Sequence, residues 1–406
     1  MENAINAGDT AWILVSSALV LLMTPALGFF YGGMVRKKNI LSTLNLSFIM
    51  VGLISVQWVL FGYSLAFGDD VGGMGLIGGL NYLGFSGVTG APLAGQTIPH
   101  LIFAAFQMMF AIITPALITG AFVDRIKFST FLVFSLIWAT IVYDPLCHWV
   151  WGGGGWIMAL GALDFAGGTV VHIAAGFSAL AFALAIGPRK GYPGVLMEPH
   201  NIPYTVLGAA LLWVGWFGFN AGSALGANGA AANAFVTTNT AAAAAALVWM
   251  LLAWKDGKPS VLGIATGAVV GLVAITPAAG FVTPGAALII GAVAAPVSYY
   301  AMRLRHKIGF DESLDVWACH GMAGTWGALA TGLFASPEIG AGTGLFYGNP
   351  AQLWIQFISV VVTIGYVFVV TFVLCKILGA VMGLRVSDKA EEVGLDLSEH
   401  GERAYS

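Results

Sequence analysis

Of the 406 residues, 58% are apolar and only 9% are charged, against about 25% charged in an ordinary soluble domain. That excludes a water-soluble globular fold and indicates a polytopic membrane protein, all-α because its spans read as helices. The formal net charge of −3 gives no footing for a nucleic-acid partner.

Apolar stretches of about 20 residues predict eleven membrane-spanning helices. They lie at 10–33, 40–67, 98–122, 128–146, 166–187, 203–225, 228–254, 260–281, 284–302, 314–335 and 352–383. The separator between the sixth and seventh, Asn220 to Asn228, is weak. Residues 147–165 are apolar too, but the four glycines at 152–155 predict a buried or re-entrant loop. The 55 glycines suit helices that pack closely in lipid, where small residues let backbones approach.

Lysine and arginine mark cytoplasmic loops. All sixteen fall at Arg36, Lys37, Lys38, Arg125, Lys127, Arg189, Lys190, Lys255, Lys258, Arg303, Arg305, Lys307, Lys376, Arg385, Lys389 and Arg403. These positions follow spans one, three, five, seven, nine and eleven, with Lys376 in the last turns of span eleven, and the alternate loops hold none. The expected topology is therefore an odd number of spans with the N-terminus outside and the C-terminus cytoplasmic. The first ten residues lack a basic region, so no cleavable signal peptide is expected. Cys147, Cys319 and Cys375 show no metal spacing and predict no disulfide framework. No cofactor or metal site is expected.

Two histidines stand in apolar, glycine-rich sequence: Asp164-Phe-Ala-Gly-Gly-Thr-Val-Val-His172 in span five, and Asp315-Val-Trp-Ala-Cys-His320-Gly in span ten. Ionisable groups inside membrane helices are costly and mark interior pathways. Five spans per repeat make the second half (about 203–335) inverted relative to the first (about 10–187), with an eleventh helix appended. Inverted repeats carry their site near the midplane on the pseudo-two-fold axis, which would bring His172 and His320 face to face. The bland alternative is two unrelated core histidines, each bonded to a carbonyl.

The segments Asp164 to His172, Trp216-Phe-Gly-Phe-Asn-Ala-Gly-Ser223 and Asp315 to Gly321 resemble the Amt/Mep/Rh ammonium transporters. Phe29-Phe-Tyr-Gly-Gly33 and the tail Glu391 to Tyr405 do so as well, so the resemblance covers essentially the whole chain. It implies an eleven-helix fold with an inverted five-plus-five repeat, a homotrimer with one pore per subunit, and a cell (plasma or inner) membrane location. The implied domain division is 1–383 for the transmembrane unit and 384–406 for a cytoplasmic regulatory tail.

The resemblance also assigns roles. Trp151 corresponds to the tryptophan of an external recruitment site, where a cation meets an aromatic face. Ser223 would accept a hydrogen bond from the ion and Phe106 would complete the cage. Phe110 and Phe219 match the gate phenylalanines, although Phe106, Gln107 and Phe110 read without a family are ordinary core packing. His172 and His320 would be the polar groups of an apolar lumen. The supporting residues are Gln107, Asp164, Thr276 and Asp315. Asp164 and Asp315 read as helix-start caps, with cation attraction or proton release the rival role for Asp164 and inter-helix anchoring for Asp315. Thr276, before Pro277, is a pore-lining hydroxyl or a repair of the backbone that proline disrupts.

The expected function is ammonium transport: recruitment of ammonium, deprotonation near the gate and passage of ammonia, with the proton crossing separately. Methylammonium is an expected second substrate, membrane lipid surrounds the fold, and a PII-type signalling protein is the implied partner at the tail. The rivals are an ammonium sensor with little flux and an Rh-type ammonia or carbon dioxide channel. An enzyme is disfavoured because His-Glu-x-x-His and Gly-x-Ser-x-Gly are both absent.

Overall fold

The computed structural model describes residues 4–405. Helices occupy every predicted span: α1 (Ala7–Met34), α2 (Lys37–Phe67), α3 (His100–Ala121), α4 (residues 128–151), α5 (Gly168–Ile186), α6 (Ile202–Ala221), α7 (Gly229–Asp256), α8 (Val261–Ile275), α9 (Pro284–Ile308), α10 (Trp317–Met322 continued by Ala323–Phe334) and α11 (Pro350–Val381). No β-strand occurs among the described residues. Nine of the described helical segments are long and apolar enough to cross a membrane, and α8 is a shorter apolar helix.

Several ends differ from the apolar pattern, for local reasons. The α4 helix runs on to Trp151, into the region read as a re-entrant loop; it absorbs Pro145 just after the π-helical turn Ala139–Tyr143 and stops at Gly152. At α8 the reverse holds. Its helix stops at Ile275, and Pro277, which lacks an N–H, begins an irregular turn. The α9 helix extends to Ile308, its last turn carrying Arg305, His306 and Lys307 at the negative end of the helix dipole. Gly309 then closes it in the left-handed conformation.

Five stretches widen to π-helical hydrogen bonding: Trp58–Gly62, Ala139–Tyr143, Gly168–Ile173, Phe217–Ala221 and Trp317–Met322. Such stretches concentrate at functional sites because they re-aim side chains within a continuous helix. His172 and His320 each lie in one, and so does Phe219.

Equivalent members of the two halves meet at the centre: α1 packs along α6, and α5 along α10. The α5–α10 crossing is backbone on backbone. A Cβ on Gly176 would stand 2.1 Å from the Gly321 nitrogen, and one on Gly324 would stand 3.2 Å from both the Gly168 carbonyl oxygen and the His172 Cβ. Gly176 and Gly324 each follow their own helix's histidine by four residues, one turn. Removing side chains there is what lets the two histidine-bearing turns approach.

The tail folds as α12 (Asp388–Val393) and α13 (Leu395–His400). It docks on the chain's own loops at the end that gathers the basic residues. Glu391 accepts from Arg385 (2.6 Å) and from the Lys190 amide (2.6 Å), and its carbonyl accepts from Lys38 (2.9 Å). Asp396 accepts the Ser42 amide and Glu399 the Phe128 amide.

Candidate functional site

At the end opposite the tail, a cavity of about 260 Å³ is lined by Phe103, Gln107, Phe110, Trp151, Asp164 and Ser223. Trp151 ends α4, and its indole N–H donates to the Asp164 carbonyl at 2.9 Å, which fixes the ring against the wall. Ser223 donates to the Phe219 carbonyl at 2.8 Å. That leaves its oxygen lone pairs free to accept. Phe106 is a correction. It is fully buried, packed edge-on to Phe110 with centroids 5.0 Å apart, and does not line this cavity.

Phe110 lines this cavity and packs on Phe219, which lines the narrower lumen beyond, with centroids 4.4 Å apart and planes at 45°. Trp151 meets Phe110 edge-on at 5.9 Å. Directly behind Phe219 lies the His172 ring, 5.9 Å away and tilted 24°, with Trp216 stacked on the same imidazole at 5.4 Å. The lumen there holds only about 10 Å³ of free space, walled by Ile113, Leu117, Val171, Leu212, Trp216 and Phe219 around the two histidines.

His172 and His320 face each other with Nδ1 to Nδ1 at 3.2 Å. One proton must lie between these nitrogens. A neutral imidazole carries a single N–H, so the donor ring keeps a bare Nε2 and the acceptor ring keeps an Nε2–H. The pair therefore offers the lumen one acceptor and one donor. Beyond His320 a wider cavity of about 400 Å³, lined by Tyr31, Met34, Trp249, Asp315 and Cys319, opens toward the tail end.

The supporting residues divide. Asp164 accepts four backbone N–H groups, from Gly167 (2.9 Å), Gly168 (2.7 Å), Thr169 (2.8 Å) and Val170 (3.3 Å), which is the geometry of a helix-start cap. Asp315 does not cap α10. Its backbone sits at φ +58° and its carboxylate pairs with Arg305 of α9 at 2.6 Å, so it anchors one helix to another. Glu312 takes the capping position instead, accepting the Trp317 amide at 2.8 Å. Thr276 is also corrected: fully buried and outside the lumen wall, it accepts from the Trp216 indole at 2.9 Å and donates to the Leu272 carbonyl. It positions the tryptophan that stacks on His172.

Sequence reading passed over Glu312 and Trp216. Spacing held a signal for Glu312, which precedes His320 by the same eight residues that separate Asp164 from His172. Trp216 opens the family-like segment that runs to Ser223, but the resemblance assigned roles only to Phe219 and Ser223 in it, and Trp216 by itself looks like core. Among the described residues no group of three or more His, Cys, Asp or Glu side chains could hold a metal ion.

The family model described as Ammonium Transporter Family matches residues 11–405. Ammonium transporter Amt1 of Archaeoglobus fulgidus is 53% identical, covering 98% of this chain and 99% of that protein. The ammonium transporter of Bacillus subtilis is 50% identical over 98% of each. Among solved structures, Saccharomyces cerevisiae Mep2 superposes with a TM-score of 0.89 at 36% identity, covering 94% of this chain and 88% of that one. A structure described as "Sensor Amt Protein" gives 0.89 at 29% identity, covering 97% and 98%. The chain belongs to the ammonium transporter family.

Proposed function

We propose that this protein carries ammonium into the cell, taking the ion at the Trp151 cavity and passing ammonia between Phe110, Phe219, His172 and His320. The observation that carries the reading is the histidine pair, 3.2 Å apart inside an apolar lumen of about 10 Å³. A hydrated cation needs several waters, and a cavity that size admits about one water-sized molecule. The aromatic rings of Trp151 and Phe110 replace part of the lost hydration, worth about 0.5–2 kcal/mol, and Ser223 accepts from the ion. Past the rings an unpaired charge would be costly. The proton therefore leaves near the gate, with Gln107 and Asp164 at the cavity wall, and crosses separately by way of the histidines. Ammonia, with one lone pair and three N–H groups, matches the acceptor and donor nitrogens beneath.

In this reading all eleven helices cross the cell membrane with the N-terminus outside, residues 1–383 form the transport unit and 384–406 a regulatory tail. Three copies assemble with one pore each, and the tail presents a surface to a PII-type signalling protein. Methylammonium, one methyl larger, is carried more slowly.

Ammonium pulses on purified protein in proteoliposomes on a solid-supported membrane test it. Wild type gives an ammonium-dependent current that the His172→Ala/His320→Ala double variant loses or makes unselective. No ammonium-dependent current or uptake by wild type would sink the transport reading. A sensor reading draws support from the 29%-identical "Sensor Amt Protein". It predicts saturable ammonium binding without current in the same preparation.

A further inference from the structure

The outer segment that follows α2 is stitched to the end of α4. The Trp149 indole donates to the Leu76 carbonyl at 2.7 Å, and the Trp156 amide donates to the Gly75 carbonyl at 3.2 Å. Gly75 is in the left-handed conformation, φ +69°, and a Cβ on it would stand 2.5 Å from the Trp156 nitrogen. At the centre of the seam lies His148, whose side chain is wholly buried. Its Nδ1 is 3.0 Å from the Ala66 carbonyl oxygen and its Nε2 is 3.2 Å from Asp70 Oδ1. Gly152 permits this approach, because a Cβ there would stand 2.5 Å from the His148 Nδ1 and 2.6 Å from the Ala66 oxygen.

Both ring nitrogens thus face oxygens: the Ala66 carbonyl can only accept, and the Asp70 carboxyl can only accept when it is ionised. A neutral imidazole has one N–H and one lone pair, so a neutral ring would aim its lone pair at a carbonyl or at a carboxylate. A ring with both nitrogens protonated satisfies the two contacts at once. The Gly75 amide chiefly, with His148 adding to it, holds the Asp70 carboxyl below the ordinary range, which favours its ionised form. Among the described residues Asp70 is the one carboxylate within 4 Å of the ring.

We infer that His148 and Asp70 form a charged clasp that positions Trp151 for ammonium recruitment. His148 and Trp151 are three residues apart on α4, neighbours on successive turns. Asp70 ties that turn to the outer segment, while Trp151 itself bonds the Asp164 carbonyl on the other side. The helix end that carries the recruiting ring is therefore held from two directions, and the clasp is one of them. This role rests on Trp151 being the recruitment residue.

The test has two arms. In the intact protein, ¹⁵N-histidine spectra of wild type and His148→Gln identify the His148 signals by difference. Both ring nitrogens protonated at neutral pH is expected, and one bare nitrogen would overturn the charged clasp. In transport assays, Asp70→Asn and His148→Gln should each raise the ammonium KM about tenfold with the maximal rate kept. The double variant should be no worse than either single one, as for residues acting through one contact. Asp70→Asn is nearly isosteric and guards against a simple folding loss. Trp151→Leu is run beside them. If it raises KM while the clasp variants match wild type, the positioning role fails alone; if it leaves KM unchanged, the recruitment reading fails first.

Discussion

Asp164 and Glu312 are counterparts, each a buried carboxyl eight residues ahead of a pore histidine and each accepting backbone N–H groups at the start of that histidine's helix. The two are not equally satisfied. Asp164 has four amides around its two oxygens, whereas Glu312 Oε2 finds no protein partner. One carboxyl is thus fixed as an acceptor and its twin keeps an oxygen free to hold a proton.

Burial, with the Asp315 charge adding to it, pushes the Glu312 carboxyl up to about 8 from its ordinary 4.5. The folded state then holds a proton that the unfolded chain has released. Stability from this group is complete below about pH 4.5 and is lost as pH rises toward about 8, by at most roughly 1.4 kcal/mol per pH unit. Glu312→Gln keeps the Oε1 acceptor for Trp317 and cannot ionise. Thermal unfolding across that window should show a flatter profile for the variant than for wild type; parallel profiles would refute the assignment.

Gly176→Ala forces a Cβ against the Gly321 backbone, where nothing flexible can yield. Overpacking of this kind costs about 1–3 kcal/mol, and here it also pushes the imidazoles apart. Melting temperature and uptake should fall together. Gly365→Ala in α11, where a Cβ meets nothing within 4 Å, is the control and should be neutral or slightly stabilising.

Thr276→Val preserves shape and strands the Trp216 indole N–H, a buried donor whose loss of partner costs about 1–3 kcal/mol. The melting temperature should drop while selectivity for ammonium over potassium stays at the wild-type value. A large change in selectivity would return Thr276 to the lumen.

Glu391→Ala removes a nearly buried carboxylate from Arg385 and from the Lys190 amide. The tail should loosen while the helices stay folded. Trypsin cleavage at Lys389 and Arg403 should then outpace that of wild type, with the melting temperature of the membrane unit within a degree or two. Equal cleavage rates would show the seat is held elsewhere.

The approach of His172 to His320 was expected because charge alternation implies an odd number of spans and hence an inverted second half, whose equivalent positions face the pseudo-two-fold axis. Helix ends were less readable. Apolar pattern does not change where α4 continues through Cys147-His148-Trp149 or where Pro277 halts α8. The π-helical stretches left no trace, since shifting a hydrogen-bond register by one residue alters no composition. Asp315 obscured Glu312: two carboxyls lie upstream of His320, and the nearer one drew the capping role that the eight-residue offset gives to the other.

The roughly 10 Å³ between Phe219 and the histidines sets a rule of occupancy. A chamber with room for one water-sized guest cannot hold a queue. Under the proposed transport, molecules arriving from the two sides could not pass one another, each would vacate before the next is admitted, and throughput would reach its ceiling when that seat is never empty.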